Sequence, residues 1–464
     1  MSTFNFFSMK RTVFFLTILF CLGCGKSFLE KKTNVSDLTP YRIQDYQALL
    51  DDASTMNNWS SCQLGTIAAD EIQVDEVALQ NFNPYHQRNT YLWYRENLFQ
   101  GEQSNDWNRA FQRILYCNQV LDGLAGLTPS EGDTEAWNNV KGSALFYRAY
   151  AYYQLAQLFC EVYDAETAVN SLGLPLRKEA DITVTVGRSN LQDTYDFMLN
   201  DLKTAYDLLP LEPLVYERPS RLAVQSLLAR IYWNLGKYDE ALDESVQVLQ
   251  TKNILIDYNS VEPNPAPVSI FLPIAKNNPE IIFDATMSMP QIASIGAVAV
   301  NETQIELYEE GDLRKNIYFK EFNGFTIYLG SYSSRGAPFS GFSVGELLLV
   351  AAECEARKGN LERALLYLNR LRSHRFGSSS FTELISDDQT EILEWILLER
   401  RRELVFRGVR WEDIRRLNKE MRFPVTIVKT FLDEKIEIFP GDSRYVFPLP
   451  DNAVDLGGLE QNNR

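Results

Sequence analysis

Aromatic, amide and charged side chains are concentrated in two stretches of the sequence, a composition suited to non-covalent binding of a ligand. The flat C–H faces of a sugar ring stack on exposed aromatic rings, while the sugar hydroxyls need polar partners such as Asn, Asp or Arg. The two stretches run from Trp59 to Trp107 and from Phe322 to Phe342. The residues that we favour for ligand contact are Asp70, Arg88, Tyr91, Trp93 and Tyr332. The alternative is that most of these rings pack a local core, because Tyr and Trp are usually largely buried.

Residues suited to catalysis or metal binding are sparse. Only two histidines are present, His86 and His374, and no HExxH-like pair occurs. A histidine-based zinc site or a Ser–His–Asp triad is therefore poorly supported. Adjacent acids such as Asp70 and Glu71 do not make a glycoside hydrolase, whose two carboxylates face each other across a cleft at about 5–9 Å. We expect a binding protein without a cofactor or metal, with a helical glycoside hydrolase as a less favoured alternative.

The overall charge argues against one class of partner. The chain has 45 Lys and Arg residues against 62 Asp and Glu residues, a formal net charge of −17. Nucleic-acid phosphates require clustered Lys and Arg, so a nucleic-acid partner is not expected. An acidic surface is compatible with a neutral ligand.

The beginning of the chain resembles an export signal. Lys10 and Arg11 precede an apolar run that ends in Leu22–Gly23–Cys24. The run is too short for a membrane-spanning helix, which needs about 20 apolar residues, and it is typical of a signal peptide. A small residue directly before a cysteine suits lipoprotein processing. We predict that residues 1–23 are removed, that Cys24 carries the lipid, and that residues 24–40 form the anchor and a polar tether.

Four cysteines follow this segment: Cys62, Cys117, Cys160 and Cys354. They are far apart in the chain, and three disulfide pairings are possible in an exported protein. A large hydrophobic core needs no such covalent support, so we favour free, buried thiols.

Helical periodicity dominates residues 41–464. The apolar spacing predicts helices over residues 107–122, about 135–162 and roughly 190–208. Residues 228–242 resemble residues 351–365, with a glycine and then an alanine at matching positions. This pattern is tetratricopeptide-like, because small residues let antiparallel helices approach and the glycine supplies the turn. Loop-rich stretches at about 55–105 and 251–342 interrupt the pattern, so we predict an all-α, tetratricopeptide-like scaffold with irregular insertions.

Residues 391–418 form the most distinctive stretch. Arg400 lies inside an apolar helical stripe, and Glu403 and Arg407 are separated by four residues, as are Glu412 and Arg416. The cluster could bind an anion or take part in catalysis. We favour a structural role, in which arginines and carboxylates pin two helices together.

The order of the motifs along the chain resembles the SusD/RagB family of outer-membrane nutrient-binding lipoproteins. The arginine-rich stretch is similar to the most recognisable motif of this family. The other matching segments are Ser27–Glu30, Trp107–Leu121, Gly142–Tyr153, Asn278–Phe283, Asp312–Arg314, Phe447–Pro450 and Gln461–Asn462.

The resemblance implies both a fold and a role. The fold would be an all-α, tetratricopeptide-like scaffold with irregular insertions. The role would be that of a lipid-anchored, surface-exposed protein of the outer membrane, which captures a glycan and delivers it to a SusC-like TonB-dependent transporter. Members of the RagB branch handle peptides, so a peptide-binding uptake lipoprotein is an alternative. The repeats also suggest a third possibility, a scaffold for protein interactions alone.

Overall fold

A computed structural model describes residues 40–263, 272–273, 277–291, 298–322 and 324–464 of the chain. The predicted signal peptide, the lipidation site Cys24, the Ser27–Glu30 match and the tether up to residue 39 lie outside these residues. Within the part that is described, no helix is long and apolar enough to cross a membrane.

Helices account for about 49% of the structure, which confirms the predicted all-α, tetratricopeptide-like fold. They are α1 (Ile43–Leu50), α2 (Ala53–Met56), α3 (Gln63–Ala68), α4 (Glu76–Gln80), α5 (Tyr85–Tyr91), α6 (Asn105–Ala125), α7 (Thr134–Phe159), α8 (Leu191–Leu208), α9 (Arg221–Asn234), α10 (Tyr238–Thr251), α11 (Glu302–Ile305), α12 (Arg314–Tyr318), α13 (Val344–Arg357), α14 (Leu361–Ser373), α15 (Gln389–Glu403), α16 (Arg410–Leu417) and α17 (Asp451–Asp455).

The three helices predicted from periodicity correspond to α6, α7 and α8, with ends shifted by at most three residues. Side chains that accept backbone N–H groups mark two of their starts. The Ser104 hydroxyl accepts the N–H of Trp107 at 3.4 Å, and the Asn190 side chain accepts the N–H of Asp193 at 2.7 Å. These are ordinary N-caps, which satisfy amides that have no partner inside the helix.

The repeat forms two helical hairpins, α9/α10 and α13/α14. The turn glycines Gly236 and Gly359 have φ angles of +74° and +83°, a conformation that L side chains rarely adopt. The matched alanines Ala241 and Ala364 are fully buried. Helix α10 packs directly on α13, so the two copies adjoin in space although they are far apart in the chain.

Helix α7 is the centre of the scaffold. It packs against α6 and α8, and every residue from Gly142 to Phe159 is buried. A helix that is apolar on all faces can be stable only when neighbours surround it. The main hydrophobic core is therefore built around α7.

The strands are short and occur in two-stranded pairs. The pairs are β1 (Ile72–Val74) with β6 (Val298–Val300), β2 (Leu172–Pro175) with β3 (Arg188–Asn190), β4 (Leu272–Pro273) with β9 (Gly330–Ser331), β5 (Ile281–Phe283) with β10 (Phe342–Ser343), β7 (Phe319–Phe322) with β8 (Phe325–Tyr328), and β11 (Ile427–Phe431) with β12 (Glu434–Ile438). Only the β4–β9 pair among these is parallel. Most of the strands lie in the two stretches predicted to be loop-rich.

A second, smaller core lies under these stretches. Its buried residues include Ile72, Tyr91, Tyr318, Tyr328 and Phe406. The rings of Tyr328 and Phe406 are stacked, with centroids 4.8 Å apart. Many aromatic residues of the insertions are thus packing residues, as the alternative interpretation of the sequence proposed.

The arginine-rich stretch forms a buried ion-pair network between α15, α16 and their neighbours. Arg375 Nη2 lies 2.8 Å from Glu280 Oε2 and 2.9 Å from Glu403 Oε1, and Arg314 Nη1 lies 3.1 Å from Glu403 Oε2. Burial opposes the charged form of Glu403, but the two guanidiniums lower the pKa of that carboxyl. Arg400 pairs with Asp413 in the same way. The geometry matches the structural role favoured from the sequence.

The four cysteines Cys62, Cys117, Cys160 and Cys354 are buried and free, as predicted. Burial raises the pKa of the Cys117 thiol to about 12, so this side chain behaves as a small apolar residue.

Candidate ligand-binding surface

Two of the aromatic residues predicted to contact ligand lie in the interior. Trp93 is 1% exposed and Tyr91 is 4% exposed. The indole Nε1 of Trp93 donates to the carbonyl oxygen of Ala68 at 3.0 Å, and the Tyr91 hydroxyl accepts the N–H of Val74 at 3.3 Å. The prediction that these rings face a ligand is wrong for this structure, because neither ring has a face open to solvent.

The partner of both rings is Lys429, on β11. Its ammonium lies 4.0 Å from the Tyr91 ring centroid and 4.5 Å from the Trp93 ring centroid. The same ammonium donates to the carbonyl oxygens of Ile67 at 2.9 Å and Ala68 at 3.3 Å. The rings therefore enclose the Lys429 amine and tie the β11–β12 hairpin to α3 and α5. Burial lowers the pKa of Lys429 well below its ordinary value.

Tyr332 and Asp70 belong to the ion-pair network. Tyr332 is 2% exposed, and the Arg407 guanidinium lies 3.8 Å from its ring centroid. The Asp70 carboxylate accepts hydrogen bonds from Nε and Nη2 of Arg410, both at 2.7 Å. Burial opposes the charged form of Asp70, but this pairing outweighs it and lowers the pKa of the carboxyl. Both predicted contacts are corrected, because the polar groups of these residues are already engaged within the protein.

Arg88 is the one predicted site residue that keeps a ligand-accessible setting. It is half-buried, and its guanidinium lies 5.3 Å from the ring centroid of Tyr85, which is 43% exposed. Nη1 of Arg88 donates to the carbonyl oxygen of Gln80 at 3.2 Å. A role for Arg88 in ligand contact remains a prediction, with Tyr85 as its stacking partner.

Trp59 has the most suitable setting for stacking on a ligand. Its side chain is 41% exposed, its backbone has a φ of +62°, and the Arg109 guanidinium lies 5.1 Å from its ring centroid. In the sequence Trp59 only marked the start of the first stretch. Its exposure follows from a left-handed backbone turn, which is unusual for a residue of this size and which the composition does not reveal.

The beginning of α6 positions the Trp59 segment. The Asp106 carboxylate accepts the N–H groups of Gln63 at 3.0 Å and Leu64 at 2.8 Å, and the Ser61 hydroxyl donates to the Asp106 carbonyl oxygen at 2.8 Å. Burial raises the pKa of Asp106 to about 6, although these N–H groups favour its charged form. The segment after Trp59 is thus fixed to a rigid helix.

The two stretches predicted from composition meet at this place. The Ser60 N–H donates to the carbonyl oxygen of Thr286 at 2.9 Å, and the hydroxyl of Ser340, from the second stretch, donates to the Ser60 hydroxyl at 2.9 Å. The Thr286 hydroxyl also donates to the side-chain oxygen of Asn58 at 3.2 Å. One surface therefore carries the Trp59 ring, the Asn58 amide and the Arg109 guanidinium.

The Tyr85–Arg88 pair is attached to the same end of α6. The Glu102 carboxylate, just before α6, accepts the N–H groups of Tyr85 at 3.0 Å and His86 at 2.8 Å. It also lies 2.7 Å from the His86 ring nitrogen Nδ1. The two exposed aromatic–arginine pairs are thus organised by neighbouring turns at the start of one helix.

The chemistry available on this surface is non-covalent. Aromatic rings offer stacking, while an amide and guanidiniums offer hydrogen bonds. Among the described residues, no group of three or more His, Cys, Asp or Glu side chains could hold a metal ion.

Comparisons with known proteins match both halves of the chain. A SusD-like family model described as starch-binding and associating with the outer membrane matches residues 27–233, and the SusD family model matches residues 331–463. SusD-like protein P2 of Formosa agariphila is 24% identical over 423 residues, which cover 77% of this chain and 79% of that protein.

Solved structures show the same fold. A SusD superfamily protein from Bacteroides vulgatus superimposes with a TM-score of 0.72 at 21% identity, covering 91% of this chain and 99% of that one. A SusD superfamily protein from Bacteroides thetaiotaomicron gives a TM-score of 0.70 at 22% identity, covering 91% and 100%. A putative sugar binding protein from Bacteroides vulgatus gives 0.70 at 21% identity, covering 91% and 99%. With two models of one family matching most of its length, the chain belongs to the SusD/RagB family.

Proposed function

We propose that this protein binds a glycan on the Trp59 surface and delivers it to a SusC-like TonB-dependent transporter. The observation that carries the proposal is the exposed indole of Trp59 beside the Arg109 guanidinium and the Asn58 amide. A partly exposed ring with polar groups beside it is an arrangement suited to a sugar. The family description as starch-binding and the sugar-binding relative support the same ligand class.

Three carboxylates in the two loop-rich stretches and at the start of α6 favour a binding protein over an enzyme. Asp106 is buried and accepts two backbone N–H groups, and Asp284 pairs with Arg335 at 3.0 Å. Asp70 is held by Arg410. None of these is free to face a second carboxylate across a bound glycosidic bond, as hydrolysis would require.

Binding is tested with Trp59→Ala on an array of oligosaccharides, followed by calorimetry on those that bind. We expect an affinity at least tenfold lower and an unchanged melting temperature, because an exposed ring contributes little to the core. Tyr41→Ala is the matched control. Tyr41 is 62% exposed and lies beside α1, whose Tyr46 contacts Gly123 near the far end of α6. Equal affinity in wild type and Trp59→Ala would remove the observation on which the proposal rests.

We propose the outer membrane as the location, with Cys24 as the lipidated residue. The family description, which names association with the outer membrane, supports this assignment. Labelling of cells with a fatty-acid analogue should mark the wild-type protein and leave Cys24→Ala unmarked. Labelling of both would place the lipid elsewhere.

Delivery to a transporter is tested separately. The tagged full-length chain should copurify with a large outer-membrane barrel protein, and Trp59→Ala should copurify with it equally well. Recovery of the chain without any barrel protein would contradict the delivery step while leaving glycan binding intact.

A further inference from the structure

Two arginines on consecutive turns of α6 lie at the Trp59 surface without a carboxylate partner among the described residues. Arg109 covers the Trp59 ring at 5.1 Å. Arg113 is 1% exposed, and its Nε and Nη2 donate to the carbonyl oxygens of Thr55 at 3.0 Å and Asn58 at 3.3 Å. Its Nη1 is buried and has no hydrogen-bond partner. Two positive charges thus lie directly at the segment that carries the exposed ring.

The nearest acidic side chains do not neutralise these charges. Asp106, three residues before Arg109, is directed at the backbone of Gln63 and Leu64. Asp52 accepts the N–H of Ser54 at 3.1 Å and the hydroxyl of Thr55 at 2.7 Å at the start of α2. Both carboxylates are therefore occupied by the backbone and hydroxyl groups that they hold.

The positive charge of Arg109 and Arg113 is opposite in sign to the net charge of the molecule. A chain with a formal charge of −17 should disfavour anions over most of its surface. An uncompensated pair of guanidiniums reverses that preference at one place. Burial of Arg113 strengthens the effect, because charges interact more strongly where water is excluded.

We infer that the Trp59–Arg109 pair binds an acidic sugar residue, one that carries a carboxylate or a sulfate. The Trp59 ring stacks on the sugar face, and the planar guanidinium of Arg109 donates two hydrogen bonds to the anionic group. Arg113, bound to the Asn58 carbonyl oxygen next to Trp59, adds positive charge to the segment. The inference rests on the proposed glycan-binding function and narrows its ligand class, which the net charge alone would predict to be neutral.

The experiment measures binding by calorimetry and on an array of three sets of oligosaccharides: neutral, uronic-acid-containing and sulfated. Arg109→Gln should lower the affinity for the acidic set at least tenfold. Arg109→Lys should recover part of it, because Lys keeps the charge but not the planar fork. Affinity for the acidic set should fall as NaCl is raised. Preference between the uronate and sulfated sets identifies the anionic group.

The control variant is Arg422→Gln. Arg422 is also exposed and lies 5.3 Å from an aromatic ring centroid, that of Phe423, but it has Glu420 at 3.7 Å. Its removal should not change binding. The melting temperatures of both Gln variants should stay near that of the wild type.

The outcomes separate this inference from the proposed function. Binding of neutral oligosaccharides with equal affinity by wild type and Arg109→Gln overturns the acidic ligand and keeps the glycan-binding function. Acidic binding that Arg109→Gln leaves unchanged overturns the assignment to Arg109. Binding to no oligosaccharide in any set overturns the proposed function together with the inference.

Discussion

Beside the second core, Arg314 and Arg375 each lie among carboxylates, whereas Arg109 and Arg113 at the Trp59 surface have none in the described structure. Both regions contain arginines, aromatic rings and backbone carbonyls, so composition does not distinguish them. What differs is whether each charge has its counter-charge inside the protein. Where it has one, the arginine supports the fold; Arg109 has none and is only half-buried, so its guanidinium can approach a ligand.

The largest effect is expected in the paired region. Arg375→Ala would leave Glu280 and Glu403 buried without their shared cation, which should lower the free energy of unfolding by about 3–5 kcal/mol. Urea unfolding measures this change. Lys358→Ala, which breaks an exposed pair with Asp239, should leave the free energy of unfolding nearly unchanged. Similar losses in the two variants would contradict the structural role of the network.

The next comparison is between two tryptophans. Trp93→Ala should lower the free energy of unfolding by about 3–4 kcal/mol, because it empties a buried site and exposes the Lys429 cage. The affinity of the protein that remains folded should not change. Trp59→Ala should leave the free energy of unfolding nearly unchanged and lower the affinity for the glycan. A stable Trp93→Ala variant with weakened glycan binding would restore Trp93 as a ligand contact.

The effect of burying a charge without a counter-charge can also be measured on a carboxylate. Glu412, on α16, has no ion-pair partner among the described residues, and its Oε2 accepts the Tyr153 hydroxyl at 2.7 Å. Burial raises the pKa of Glu412 to about 7, with Arg230 opposing the shift and Asp413 adding to it. The folded protein therefore holds a proton that the unfolded chain releases near pH 4.5.

It follows that stability from Glu412 is present below about pH 4.5 and is lost as the pH rises through about 7. The free energy of unfolding should fall by roughly 3 kcal/mol over this window, since one pKa unit corresponds to about 1.4 kcal/mol. Glu412→Gln, which resembles the protonated form, should flatten the dependence. Unfolding curves at several pH values measure it, and an equal slope in both proteins would contradict the assignment.

The smallest effect is expected at the second aromatic–arginine pair. Arg88→Ala should weaken glycan binding only about threefold, because Arg88 already donates to a backbone carbonyl and contributes mainly through its contact with Tyr85. Calorimetry on the best ligand of the array measures it. A loss as large as that of Trp59→Ala would shift the centre of the site to α5.

The features that could be predicted from the sequence differ from the others in how far apart the interacting residues lie in the chain. The long helices, the repeat and the structural role of the arginine-rich stretch were predicted correctly, since each depends on spacing along a single element. The site residues depended on burial, which is set by distant parts of the chain. Lys429 lies more than 300 residues after Tyr91 and Trp93, and nothing in its local sequence indicates that it is their partner.

Trp59 was overlooked for a related reason. Its exposure depends on a left-handed turn held by Asp106 and by Thr286, two contacts that join distant segments. Residues of the two stretches predicted from composition meet at this surface, and their role in ligand binding stays a prediction. The composition could not rank the rings within these stretches.

Helix α10 ends at Thr251 and α13 begins at Val344, yet the two helices lie side by side. The chain therefore departs from the scaffold after α10 and rejoins it in the adjoining helix α13. Lengthening the segment between two packed helices costs little free energy, since the entropic cost of closing a loop grows only with the logarithm of its length. Changes in the length of this segment should therefore leave the helical frame intact.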